Sequence, residues 1–319
     1  NIIIKGIGKK NTILLGLAMI FIFGLVPVFT TNFKIVFISR LLLGAGIGLF
    51  NSLSISMISD FFDEDTRGTM IGMRTAFLNI GKALTTFISG YLIVYGVQYT
   101  FLVYALALPI FVLFLVFVPN PKNNESKQIS IKFHKETIIL TLLTLLVGIS
   151  YMGATIKIPT LLVEKYHLHP EVSRNLLTIL AISGIFSGFL FGELVKKFKN
   201  LTLSIMLLFM TCGSFIFAIF QSSILFTIGA ILIGISFVGT MSFNFFYISK
   251  KLENKYINFA TSVILVGGNI GVILTPVALT KLPEIFRLEK YITPFYITTI
   301  LMLICTIISY FALKNDKKN

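Results

Sequence analysis

Four cationic side chains, Arg40, Arg74, Lys82 and Lys157, stand inside stretches otherwise made of Leu, Ile, Phe, Val and Gly, and no Asp or Glu lies near the middle of any such stretch. A buried, unpaired cation is costly, and an arginine several residues inside an apolar helix costs at least about 2.5 kcal/mol on insertion scales. Two chemistries would compensate it: a carboxylate from another segment, forming an ion pair that takes up and releases a proton, or an anionic ligand that visits and leaves. A plainer alternative is that the long stems carry the charge to the end of the stretch. That suits Arg74, two turns from its end, and Lys157, near the opposite edge. It does not suit Lys82, near the middle, so Lys82 and Arg40 are the residues expected to meet a counter-charge or ligand.

The elements that must hold them are set by composition. The chain is 55% hydrophobic, its mean hydropathy is +0.91, and only 13% of its residues are charged, against about 25% in soluble domains. A helix crossing a bilayer needs about 20 apolar residues. Such stretches occur at 11–30, 33–58, 67–94, 98–118, 137–162, 172–194, 200–220, 223–248, 256–280 and 291–313. The expected class is all-α, a polytopic membrane protein with about ten transmembrane helices. None reads as a cleavable signal, because the first is followed at once by further spans.

The net charge of +14 does not indicate nucleic acid. Counted along the chain, 17 Lys and Arg fall in alternate loops and the tails, including Lys5, Lys9 and Lys10, residues 122–135 and 196–199, and six in the intervening loops. This asymmetry predicts a cytoplasmic long loop and C-terminus, with the lysines facing membrane lipid headgroups. Cys212 and Cys305 are isolated and read as packing residues. His167 and His169 lack a third ligand in sequence, so neither metal nor cofactor is expected. Enzyme motifs of intramembrane chemistry, such as paired aspartates for Mg²⁺ or HExxH, are absent from the spans.

Order along the chain adds a repeat. Four spans precede the polar loop 119–136, behind a basic box at Lys5, Lys9 and Lys10. Four spans also precede the C-terminus, behind a second box at Lys196, Lys197 and Lys199, and here two more spans come first. The reading is therefore an incomplete four-helix bundle over 1–118, a cytoplasmic linker at 119–136 and a six-helix bundle over 137–319. Two spans are expected to have preceded Asn1, in keeping with the missing initiator Met. A drug/metabolite-type ten-helix carrier is the rival; its five-plus-five repeat would place the long loop after span five, whereas it follows span four.

The residues also resemble a family. Arg40 followed by Gly44 and Gly46 looks like the fourth-helix motif of the major facilitator superfamily. Gly8-Lys9-Lys10 is similar to the end of its signature loop, Gly192 through Lys199 with Lys196 and Lys197 to the second copy, and Asp60 through Arg67 and Gly68 to its loop after helix four. Two positions depart: Lys5 stands where an aspartate is usual, and the stretch Gly81 to Gly90 lacks the proline of drug–proton antiporters.

The resemblance implies a two-bundle fold (4 + 6 here), with the ten spans as family helices three to twelve, and alternating-access transport of a small molecule by a plasma-membrane protein, expected to be a monomer. By the family pattern Asn51 and Ser52 on helix four, Tyr151 on helix seven, and Asn244 and Tyr247 on helix ten line the cavity, beside Arg40 and Lys82, which the cost of their charge singles out. Each serves equally well as an interhelical hydrogen-bonding group. Gly8, Lys9, Lys10, Gly44, Gly46, Arg67, Gly68, Lys196 and Lys197 carry gating or packing. Proton-coupled efflux of amphipathic compounds is preferred over organic-anion uptake or exchange.

Overall fold

The computed structural model describes residues 2–120 and 132–315, a few side chains such as that of Ser52 excepted. Most of the expected linker 119–136 lies outside the described residues. Within them, ten helices are long and apolar enough to cross a bilayer. They are built from α1 (Ile2–Phe29), α2 (Phe33–Phe61), α3 (Glu64–Leu92), α4 (Ala107–Phe117), α5 (Lys135–Thr160), α6 (Pro170–Phe198), α7 (Leu201–Ile219), α8 (Ser223–Lys251), α9 (Asn254–Pro276), the four-residue α10 (Leu282–Ile285) that continues α9, and α11 (Thr293–Asn315). A 3₁₀ stretch, Val97–Leu106, leads into α4 and completes its span. In lipid every backbone amide must be satisfied within the segment, so each apolar run becomes a helix.

Local chemistry sets the ends and bends. Asn32 caps α2 by accepting the Lys34 N–H at 3.0 Å. His169 caps α6 by accepting from Glu171 N–H, with Pro170 at the first helical position, which gives this histidine a structural task. Lys196, Lys197, Lys250 and Lys251 close α6 and α8, where cations favour the helix dipole. Pro159 and Pro276 lack the N–H needed to continue the α ladder, and both helices then pass into π turns, Leu161–Lys165 and Val277–Lys281. The expected spans stop at 162 and 280, whereas the helices carry on through Lys165 and Ile285. Hydropathy ends a span at its first charges, but the backbone keeps its helical bonds into the headgroup layer.

The chain forms two compact units: residues 1–63, 80–133 and 249–262, and residues 64–79, 134–248 and 263–319. In the first, α1 and α2 approach at glycines. A Cβ on Gly16 would stand 2.8 Å from the Gly46 carbonyl oxygen, while Gly44 and Gly48 meet nothing within 4 Å, so of the three α2 glycines Gly46 makes the close contact. Ile13, Leu17, Leu53 and Met57 pack below it against Phe50, Phe111, Phe114 and Val118.

In the second unit the core runs from Val147 through Phe191, Leu207 and Phe243, with Phe217 stacked between Phe226 at 5.2 Å and Phe295 at 5.3 Å. The first half of α3 packs here: a Cβ on Gly188 would lie 2.7 Å from Ala76 N, one on Gly68 3.0 Å from Val195, and Ser242 donates to Thr75 Oγ1 at 3.0 Å. α5 and α9 meet at Gly148 and the Gly268 carbonyl. Small residues let backbones approach where lipid supplies no hydrophobic drive between helices.

Candidate functional site

In the first unit the basic box opens a helix. Gly8 has φ 80° and ψ 167°, a region essentially reserved for glycine, and breaks α1 into two pieces. Lys9, one residue on, reaches Asp60 at the end of α2; Nζ and Oδ2 are 2.6 Å apart, with both side chains about one-tenth exposed. Lys10 donates to the Leu115 carbonyl of α4 at 2.9 Å. Two adjacent lysines thus tie three helices at one end. The family-like spacing singles out both Lys9 and Asp60, but their pairing, 51 residues apart, is not legible in it.

Arg40 is satisfied inside this unit. Its guanidinium lies 4.8 Å from the Phe101 ring centroid and 5.5 Å from that of Tyr104, and donates to the Gly24 carbonyl at 3.3 Å. Two aromatic faces and a carbonyl supply the negative potential that a ligand or acid was expected to bring. Asn51 is half-buried on α2, its carbonyl accepting from Ser54; the Ser52 side chain lies outside the described residues.

Lys82 is exposed at the centre of the span Thr66–Tyr95, and no carboxylate among the described residues lies within 4 Å of its amine. Arg74, expected to reach for the membrane edge, instead packs in the second unit with its guanidinium 5.8 Å from the Phe245 ring of α8. Arg67 is half-buried and Gly68 buried on the same helix, while Lys196 and Lys197 are exposed at the end of α6.

The second unit holds a polar seam between α5 and α8. Tyr151 stacks on Phe237, centroids 3.7 Å apart and rings within 13° of parallel. Two turns along, the Asn244 amide nitrogen donates to Thr144 Oγ1 at 2.9 Å, and Thr144 donates on to the Leu140 carbonyl at 2.7 Å. Asn244 is fully buried, yet its Oδ1 has no hydrogen-bond donor among the described residues. On the same face of α8, at four-residue spacing, the hydroxyls of Thr240 and Ser236 are also fully buried without a partner among the described residues. Leaving a buried polar group unsatisfied costs about 1–3 kcal/mol, and three in one row form a line of donors and acceptors with spare capacity. Tyr247 is half-buried and stacks on Phe243 one turn beyond Asn244. Sequence reasoning found Tyr151, Asn244 and Tyr247 but missed Thr144, Thr240 and Ser236, because hydroxyls in apolar helices commonly bond their own backbone.

At the far end of α5 two ion pairs cross. Glu164 pairs with Lys290 at 3.5 Å and Lys165 with Glu289 at 3.1 Å, joining the π turn to the loop before α11. Burial pulls the Glu289 carboxyl upward, but the N–H groups of Ile292 and Tyr291 and the Lys165 ammonium outweigh it, and the group titrates below the usual carboxylate range. Lys157 was expected to snorkel outward. It is buried instead, 8% exposed, and feels the opposed charges of Glu164 and Lys290.

The Major Facilitator Superfamily profile matches residues 2–276 and 140–319. An uncharacterized transporter of Rickettsia bellii (strain RML369-C) is 26% identical over 202 residues, 60% of this chain and 50% of that protein. One from Rickettsia felis (strain ATCC VR-1525 / URRWXCal2) is 24% identical over 230 residues, 66% of this chain and 56% of its own. The match thus spans about half the length of these relatives. Among solved structures, the human organic anion transporter MFSD10 (TETRAN) superposes with a TM-score of 0.81 at 12% identity, covering 96% of this chain and 78% of that one. The Escherichia coli fucose:proton symporter FucP gives 0.75 at 14%, covering 97% and 85%. These are likenesses of fold.

Proposed function

This chain belongs to the Major Facilitator Superfamily, and from that premise we propose that it forms the membrane core of a secondary carrier that exports small amphipathic compounds by alternating access, coupled to proton entry. The observation that carries the reading is the seam on α8: Asn244 Oδ1, Thr240 Oγ1 and Ser236 Oγ, buried and without a partner among the described residues, beside the stacked rings of Tyr151 and Phe237. Such a seam offers hydrogen bonds to a ligand's few polar groups and flat apolar surface to its body. Export is the direction we propose, since a solute apolar enough to enter unaided gains from a carrier only when it is moved against its gradient.

The moving parts we propose are the bundles 1–118 and 137–319, joined by a cytoplasmic linker at 119–136. The charge asymmetry of the loops supports a cytoplasmic C-terminus, and the cell membrane is the location we propose. Organic-anion uptake or exchange is the second reading, favoured by Lys82, a mid-span exposed cation with no carboxylate beside it among the described residues.

One experiment separates them. Full-length protein in liposomes is assayed for a lipophilic cation and for an organic anion, each with and without a proton gradient. Gradient-driven cation transport lost in Asn244→Ala supports export. Anion transport lost in Lys82→Ala, with cation transport absent, overturns it in favour of the second reading.

A further inference from the structure

In the second unit α7 and α11 run antiparallel, joined by a hydrogen bond between Ser204 and Ser309 at 2.9 Å, while the Thr211 and Thr306 hydroxyls stand 3.5 Å apart. These short side chains let the helices come together, and Thr211, Thr306 and Ser309 donate their protons to the Leu207, Met302 and Thr306 carbonyls of their own helices while Ser204 bonds Ser309, so the floor between them offers little polarity. Around it stand Leu201, Ile205, Leu208, Ile307, Tyr310 and Phe311, enclosing a groove of about 330 Å³. Several of these walls are well exposed, Phe311 at 60% and Ile307 at 49%. The groove opens where α7 begins and α11 ends. Lys196, Lys197 and Lys199, all exposed, occupy the helix end and turn that lead directly into Leu201. One carboxylate, Glu193, shares that turn of α6.

We infer that this groove is a binding site for an anionic phospholipid, one acyl chain lying between α7 and α11 and the headgroup held by the lysines of residues 196–199. The apolar channel matches a hydrocarbon tail, and the excess of cations at its mouth matches the charge of the headgroup. Other basic loops border helix ends in this chain; here three lysines stand within five residues of Leu201, itself a wall of the apolar channel. The site is separate from the seam on α8 and does not depend on what the protein carries.

The sequence contains no tryptophan, so a single Phe311→Trp is a clean reporter, with Phe186→Trp, exposed on α6, as its control. Each is reconstituted in bilayers containing brominated phosphatidylglycerol or brominated phosphatidylcholine, and quenching is compared. The expected result is preferential quenching of the Phe311→Trp protein by phosphatidylglycerol, by about fivefold in relative association for each lysine within reach of the headgroup, with no preference at position 186. Adding Lys196→Gln, Lys197→Gln and Lys199→Gln should abolish the preference. Should that variant fail to fold, 1 M salt on the parent reporter removes the same attraction. Equal quenching by the two lipids, a preference that survives both charge removal and salt, or protection of position 311 by a second copy of the chain, seen as cross-linked dimer, would each overturn the inference.

Discussion

Asn244 and Thr144 are joined across α8 and α5 by a 2.9 Å hydrogen bond in which the amide uses its nitrogen, while its oxygen finds no partner among the described residues. A side chain kept only for packing would be expected to satisfy both ends. Replacing the pair by apolar groups of similar shape removes an unmet acceptor along with one good bond, and such exchanges are often neutral for stability.

Asn244→Leu with Thr144→Val should therefore leave the unfolding temperature unchanged or slightly raised, while substrate transport in liposomes falls at least about tenfold, the equivalent of one lost hydrogen bond near 1.4 kcal/mol. A large loss of stability with transport per folded molecule intact would assign Asn244 to structure.

The Lys9–Asp60 pair should behave as a partly buried bridge. Lys9→Ala alone strands the carboxylate and should cost about 1–3 kcal/mol, discounted from the 3–5 typical of fully buried pairs because each side chain keeps some contact with solvent. The exchange Lys9→Asp with Asp60→Lys should recover part of that loss. Denaturation in mild detergent, run as a double-mutant cycle, measures the coupling; additive losses would mean that the two do not interact.

Gly8 and Gly6 make a controlled comparison within one helix. Neither would place a Cβ against a neighbour, but only Gly8 adopts a positive φ. Gly8→Ala should destabilise by about 1–3 kcal/mol, whereas Gly6→Ala should be neutral or stabilising by up to about 1 kcal/mol through helix propensity. Thermal unfolding of the two variants side by side checks this.

Glu289 predicts a local pH response. Its folded-state pKa lies below the usual value of 4.5, so its carboxylate bonds stabilise the fold above that value and are lost as pH falls through the lower folded one. The loop before α11 should stay closed to protease at neutral pH and loosen below about pH 4. Glu289→Gln should be looser at neutral pH and lose most of the pH dependence. A loop equally protected at pH 3 and pH 7 would contradict the assignment.

Ten spans, their order and the polar break after the fourth were legible without coordinates, because a bilayer leaves an apolar run no choice but to close its backbone bonds within itself. So were Tyr151, Asn244 and Tyr247 as polar groups in apolar surroundings, and Lys82 as a cation at mid-span. Tertiary structure alone decided what these groups meet: that Arg40 lies against Phe101 and Tyr104, that Lys157 is buried near Glu164, that Gly46 makes the close contact, and that α3 divides its length between two units. Helical periodicity assigns residues to a face but does not name the neighbour opposite. In lipid that choice rests on steric fit and a few hydrogen bonds between distant positions, such as Asn244 and Thr144, 100 residues apart.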